Sequence, residues 1–202
     1  MNINQLKKDI FDPDYPEKQC KAAYQMRYMQ KHNKSEAVYI LFSACYEAED
    51  PRLQQEAVKS LGVLNPERAL ETFIKSTFNT DAEKRRRAYY HLGTLGNPQG
   101  IEAVLKGLAD PDEGVRRAAT ISAGRLGQDH SVITALQKLL NSFEPAPVQL
   151  EAKRSIDCIK MRLIEKSKSE RSFNRPSKRN ENSQKSFNKS NFTPKAYTPQ
   201  GF

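Results

Sequence analysis

The 202-residue sequence has no tryptophan, only three cysteines and no long apolar run. No stretch approaches the ~18 consecutive apolar residues of a membrane-crossing helix, and no charged start followed by an apolar block resembles a signal peptide. A soluble, cytoplasmic protein with no membrane partner is expected. Cys20, Cys45 and Cys158 are odd in number and far apart, which argues against a disulfide framework or a clustered metal site. A glycine-rich phosphate loop, an HExxH pair and a Gly-x-Ser-x-Gly elbow are also missing. His32, His91 and His130 form no constellation: His91 falls within a helix, His130 in a turn and His32 at a helix end. No catalytic residue, cofactor or metal ligand is assigned, and the sequence favours a non-enzymatic role.

The apolar residues that are present stop abruptly. Residues 166–202 contain no Ile, Leu, Val or Met, and about a third of them are Ser or Asn. Such a segment cannot bury enough apolar surface to offset the entropy of ordering it, so a disordered tail is expected. The net charge of +9 is concentrated there: nine basic residues face only Glu170 and Glu181, whereas the segment 1–165 is nearly balanced. That preceding segment is long enough for one domain with a sizeable core.

The domain repeats itself. Asp50, Asp81 and Asp112 recur at one fixed interval, and the same interval links Ala57, Ala88 and Ala119, then Gly62, Gly93 and Gly124, then Leu64, Leu95 and Leu126. The spacing defines repeats at 50–80, 81–111 and 112–142. Each reads as two helices. The Asp caps the first, and Pro51 sits where a missing N–H does no harm. A Gly-Asn or Gly-Gln pair, or Asn65-Pro66, marks the turn. The second helix carries apolar residues at helical spacing, as in Ile101, Val104, Leu105 and Leu108. The alanine column implies close approach of neighbouring helices.

Less regular units, 1–49 and 143–165, are expected to cap the ends. In the first, Val38, Leu41, Phe42 and Cys45 form one apolar face. In the second, Val148, Ala152, Ile156, Ile159 and Leu163 form a single stripe on a long final helix entered after Pro145 and Pro147. The fold class is all-α: a solenoid of about five helical pairs followed by a disordered tail.

The stretch DPDEGVRRAATISAGRLG (110–127) resembles a HEAT-like repeat of the short type first described in phycobilisome lyases. The Asp-Pro-Asp opening, the Val-Arg-Arg-Ala-Ala core and the Leu-Gly close carry the likeness, which is clearest over 110–139, good over 50–109 and weak outside. The resemblance implies an α-solenoid. It leaves function open, because such repeats serve adaptors, chromophore lyases, regulators and nucleic-acid binders. Alkylpurine DNA glycosylases resemble this architecture too, but rely on aromatic residues including tryptophan in the groove, and this chain has none.

Candidate binding residues follow from the repeat. Lys84-Arg85-Arg86-Arg87 is echoed by Arg116-Arg117, and in register the arginines stack into a basic ladder. Asp81 lies four positions before Arg85 and Asp112 four before Arg116, which suggests intrahelical ion pairs for those two. Arg86, Arg87 and Arg117 lack such a partner and are the better candidates for a ligand surface. Lys75 and Lys106 each follow a glutamate by four, Glu71 and Glu102, and read as self-neutralised. In the tail, Ser172-Phe173-Asn174-Arg175 recurs as Ser186-Phe187-Asn188-Lys189. Isolated rings among cations suit stacking on bases. The tail candidates are Arg171, Phe173, Arg175, Lys178, Arg179, Lys185, Phe187, Lys189 and Phe192.

The reading favoured by these features is a monomeric adaptor whose solenoid holds a protein partner and whose tail contacts RNA or single-stranded DNA, or another polyanion. Two alternatives stand beside it. One is a bilin-lyase-like or chromophore-handling protein, implied by the resemblance alone; the other is nucleic-acid binding by the solenoid through Arg86, Arg87 and Arg117.

Overall fold

The computed structural model describes residues 2–30 and 32–173, with the backbone alone for 171–173. Among the described residues it forms ten α-helices and no strand. Contacts divide the chain into one unit at 1–164, which holds the repeats, and a second beginning at Glu165. The three regular repeats are α4 (Pro51–Leu64) with α5 (Pro66–Ser76), α6 (Ala82–Leu95) with α7 (Ile101–Lys106), and α8 (Glu113–Leu126) with α9 (His130–Leu140). Before them come α1 (Ile3–Ile10), α2 (Pro16–Met26) and α3 (Lys34–Glu47); after them runs α10 (Ala146–Phe173).

Helix starts are chemically marked. Asp50, Asp81 and Asp112 cap α4, α6 and α8, accepting from the backbone N–H of Arg52, Glu83 and Val115 at 2.8–2.9 Å. The second elements are capped just as regularly, by the evenly spaced Asn65, Asn97 and Asp129. His130 is therefore the first residue of α9 and not part of a turn. At the end of α6, Gly96 takes a left-handed φ of 70°, a conformation a side chain would disfavour.

Packing explains the small-residue columns. Ala57, Ala88 and Ala119 are fully buried. A Cβ on Gly93 would lie 2.4 Å from Ser122 Oγ, and one on Gly124 would lie 2.4 Å from Ser155 Oγ, so successive first helices touch through glycine. Both serines are buried and satisfied: Ser122 Oγ donates to the Tyr89 carbonyl at 2.7 Å and Ser155 Oγ to that of Thr120 at 2.9 Å. The separation of the two serines exceeds the repeat interval, so the final helix keeps the packing while leaving the sequence register.

The second helix of the middle repeat is shorter than the apolar pattern suggests. Only Ile101–Lys106 is α-helical, flanked by 3-10 turns at Pro98–Gly100 and Gly107–Ala109. Gly107 lets this turn lie close against its neighbours, because a Cβ there would stand 2.5 Å from the Tyr89 ring and 2.8 Å from the Ala119 side chain.

Arg85 and Arg116 do not pair with Asp81 and Asp112, which are occupied as caps. Arg85 forms a two-point contact with Asp110, and Arg116 binds Glu144 at 2.9 Å. Each also donates to two carbonyls in the loop before its own helix: Arg85 to Thr80 and Asn79, Arg116 to Pro111 and Asp110. One guanidinium thus ties the loop before its helix to the loop before the next. At the ends of the stack glutamine does the shorter job, as Gln54 Nε2 donates to the Ala48 carbonyl and Gln149 Nε2 to that of Glu144.

The ends are closed by the irregular helices. Ile3, Leu6 and Ile10 bury one face of α1, and Val38, Leu41 and Cys45 are buried on α3, with Phe42 packed at the core's edge. Val148, Ala152, Ile156 and Ile159 of α10 are buried and Leu163 packs at the core's edge. Arg162 further donates to the carbonyls of Gly124 and Gly127, satisfying the end of α8. Residues 166–173, expected to be disordered, continue α10 to Phe173; residues 174–202 lie outside those described.

Candidate protein-binding surface

The first helices of neighbouring repeats leave a cleft of about 390 Å³ between them. Glu49, Pro51, Gln54 and Gln55 form one wall, Glu83, Arg86, Arg87, Tyr90 and Thr94 the other, and Arg125 of α8 closes one end. Arg86 and Arg87 follow each other on α6, so both reach back over the first turn to the same carboxylate. Glu83 receives Arg86 through Nε and Nη2 at 2.7 and 2.6 Å, and Arg87 through Nε at 2.8 Å. The two guanidiniums, Arg86 first, pull its pKa down to about 2. Arg87 Nη1 also donates to the Tyr46 carbonyl at 2.8 Å, and the Arg86 guanidinium lies 5.8 Å from the Tyr90 ring centre.

Beneath this surface sits His91. It is buried, with its ring between those of Tyr46 and Phe73, and its Nε2 lies 3.1 Å from the Cys45 carbonyl. Because that oxygen only accepts, Nε2 carries a proton. Burial pushes its pKa down to about 4. A packed, hydrogen-bonded histidine of this kind supports the repeat junction. Cys45, also buried, has its pKa raised by burial, which disfavours its thiolate.

Within residues 73–157 the sequence matches the family model for HEAT repeats. Over these residues the chain is similar to HEAT repeats. No curated protein matches the chain. Among solved structures it is similar to an engineered protein (22% identity over 79% of this chain and 80% of that chain, TM-score 0.42). It is also similar to the complex of CpcE and CpcF of phycocyanin lyase from Nostoc sp. PCC7120 (20% identity, 80% and 66% coverage, TM-score 0.49). A further engineered protein matches at 20% identity, with 78% and 47% coverage and a TM-score of 0.44.

Arg86, Arg87 and Arg117, which read from the sequence as unpartnered, all have a partner, and for Arg87 the signal is local, since Glu83 stands four positions before it. Arg86 and Arg87 share Glu83, and Arg117 Nη2 contacts Glu151 of α10 at 3.2 Å. The structure brings Arg86 and Arg87 together in the cleft, while Arg117 is not among its lining residues. Arg125 takes that place. Its Nη1 donates to Thr94 Oγ1 at 3.2 Å, and it has no carboxylate partner among the described residues. The repeat itself held the missed signal, since Thr94 and Arg125 stand in one column.

The second helices present a different surface. Leu70 and Ile74 of α5, with Gln99, floor an open groove bordered by Glu67, Glu71 and Lys75. Lys75 is bound to Glu71 at 2.7 Å, the self-neutralised arrangement expected. Glu102 and Lys106 form no such pair among the described residues. Of the tail candidates, Arg171 and Phe173 fall in the last turn of α10, and Arg175, Lys178, Arg179, Lys185, Phe187, Lys189 and Phe192 lie outside the described residues. No described helix is long and apolar enough to cross a membrane.

Proposed function

We propose that this chain is a non-enzymatic scaffold whose repeat domain binds a protein partner and whose basic C-terminal segment adds contact with RNA or another polyanion. The observation that carries the reading is the HEAT-repeat stack itself, a helical scaffold suited to protein interaction. The cleft between α4 and α6 and the α5 groove are two surfaces that such a stack offers to a partner. The charge partition supports the second half: the excess of positive charge lies after residue 165, among single aromatic residues. Two weak attachments on one chain raise each other's effective concentration.

Affinity purification of the full chain and of a chain lacking 174–202, each with and without nuclease, tests this. The proposal expects a protein partner that survives both treatments and nucleic acid that is lost with the segment. Nucleic acid retained by the shortened chain, with unchanged salt dependence, would remove the role given to the tail.

A further inference from the structure

We infer that the cleft between α4 and α6 is a receptor for an acidic peptide segment of the protein partner, with Glu83 acting as a built-in competitor for the arginines that bind it. This rests on the protein-scaffold reading and specifies the partner's chemistry.

The cleft is of the size of preformed ligand sites, roughly 300–1,000 Å³. Three guanidiniums line it, and each keeps donor capacity. Arg86 spends Nε and Nη2 on Glu83, leaving Nη1; Arg87 spends Nε on Glu83 and Nη1 on the Tyr46 carbonyl, leaving Nη2. Arg125 spends Nη1 on Thr94 and has no carboxylate among the described residues. The first two are held in place before any ligand arrives, which lowers the cost of ordering them on binding. Carboxylates are the natural partners of such planar, multi-donor groups.

The same cleft disfavours a nucleic-acid backbone. Glu49 and Glu83 stand among the three arginines, leaving a lining charge of only +1. A continuous row of phosphates would meet both glutamates, whereas a peptide carries its carboxylates singly and can direct them to the arginines. Pro51 and the stems of Gln54 and Gln55 on one wall, and Tyr90 on the other, supply the less polar surface along which a peptide backbone lies.

Because Glu83 already occupies Arg86 and Arg87, an incoming carboxylate must displace it or share with it. Substitutions at Glu83 and Arg125 should therefore move affinity in opposite directions. The test measures fluorescence anisotropy of a labelled Glu- and Ser-rich peptide, and of the same peptide with Gln at every Glu, against the full chain at about 0.1 M salt. Glu83→Gln should tighten the acidic peptide about threefold, and Arg125→Gln should weaken it about tenfold. The Gln peptide should respond to neither. Arg125 is exposed and makes one side-chain hydrogen bond, so its variant keeps the fold, and a thermal melt verifies this.

Affinity unchanged by either substitution places acidic-peptide binding in the basic tail and overturns the inference. So does an equal response from a single-stranded oligonucleotide. If a natural protein partner co-purifies undiminished with Arg125→Gln while the peptide shows no response, the scaffold reading stands and this cleft is not its site.

Discussion

Arg85 and Asp110 face each other across two consecutive inter-repeat loops, joined by Nε to Oδ2 and Nη2 to Oδ1, each at 2.9 Å. Both side chains are largely shielded, with 14% and 9% exposure. Burial alone would raise the Asp110 pKa, yet the hydrogen bonds from Arg85 hold it below the usual carboxylate range. The pair, with the two carbonyls that Arg85 also binds, makes the loop edge a continuous polar network.

Removing one partner strands the other. Arg85→Met should destabilise the domain by about 3 kcal/mol, the cost of leaving a shielded charge unpaired. Arg86→Ala removes a half-exposed pair and should cost under about 1 kcal/mol. Urea unfolding midpoints of the two variants separate a structural arginine from a surface one.

Glycine substitutions should divide by cause. Gly107→Ala places a methyl against Tyr89 and Ala119, both buried, and should cost about 1–3 kcal/mol by overpacking. Gly96→Ala meets no neighbouring atom within 4 Å and should cost about 1–2 kcal/mol through its left-handed backbone alone. Asparagine, which tolerates that conformation, should recover much of the loss at 96 and none at 107. Thermal melts of the four variants show whether it does.

Much of this is legible in the sequence, because a repeat reports on itself. The columns spaced at one interval mark the capping aspartates and the buried alanines, and both hold in the structure, while the contacts made through Gly93 and Gly124 emerge only from the packing. The ion pairs are harder to read. A spacing of four suggests Asp81 with Arg85 and Asp112 with Arg116, but a capping aspartate points its oxygens at backbone N–H groups and leaves the arginine to reach the next loop. Local periodicity cannot show that step, since Asp110 and Glu144 each lie a whole helical pair ahead and in different columns. For the same reason Arg117 looks unpartnered in the sequence, its glutamate being on α10. Helix α1 is not read from the sequence, because Ile3, Leu6 and Ile10 stand outside the repeat columns.

Acid should weaken the domain in two stages. An unfolded His91 takes up a proton near pH 6.5, whereas the folded one does so only near 4. The unfolded state thus binds more protons between these values, and stability falls as pH drops from about 6.5 to 4, by on the order of 3 kcal/mol. Glu83 acts lower: its contribution is present above about 4.5 and is lost as pH falls toward 2. Urea unfolding from pH 7 to 3 should show both stages. His91→Gln should flatten the upper one and Glu83→Gln should alter only the lower.

The scaffold account turns on whether a protein partner touches the folded repeats. Cross-linking mass spectrometry of the nuclease-treated, partner-bound full chain tests this most directly, using lysine-reactive reagents and mapping each bridge to its residue. The account predicts partner bridges at Lys84, beside Glu83 of the cleft, and at Lys59 or Lys75 on neighbouring helices. Bridges confined to Lys178, Lys185, Lys189 and Lys195, with none on residues 2–173, would contradict it.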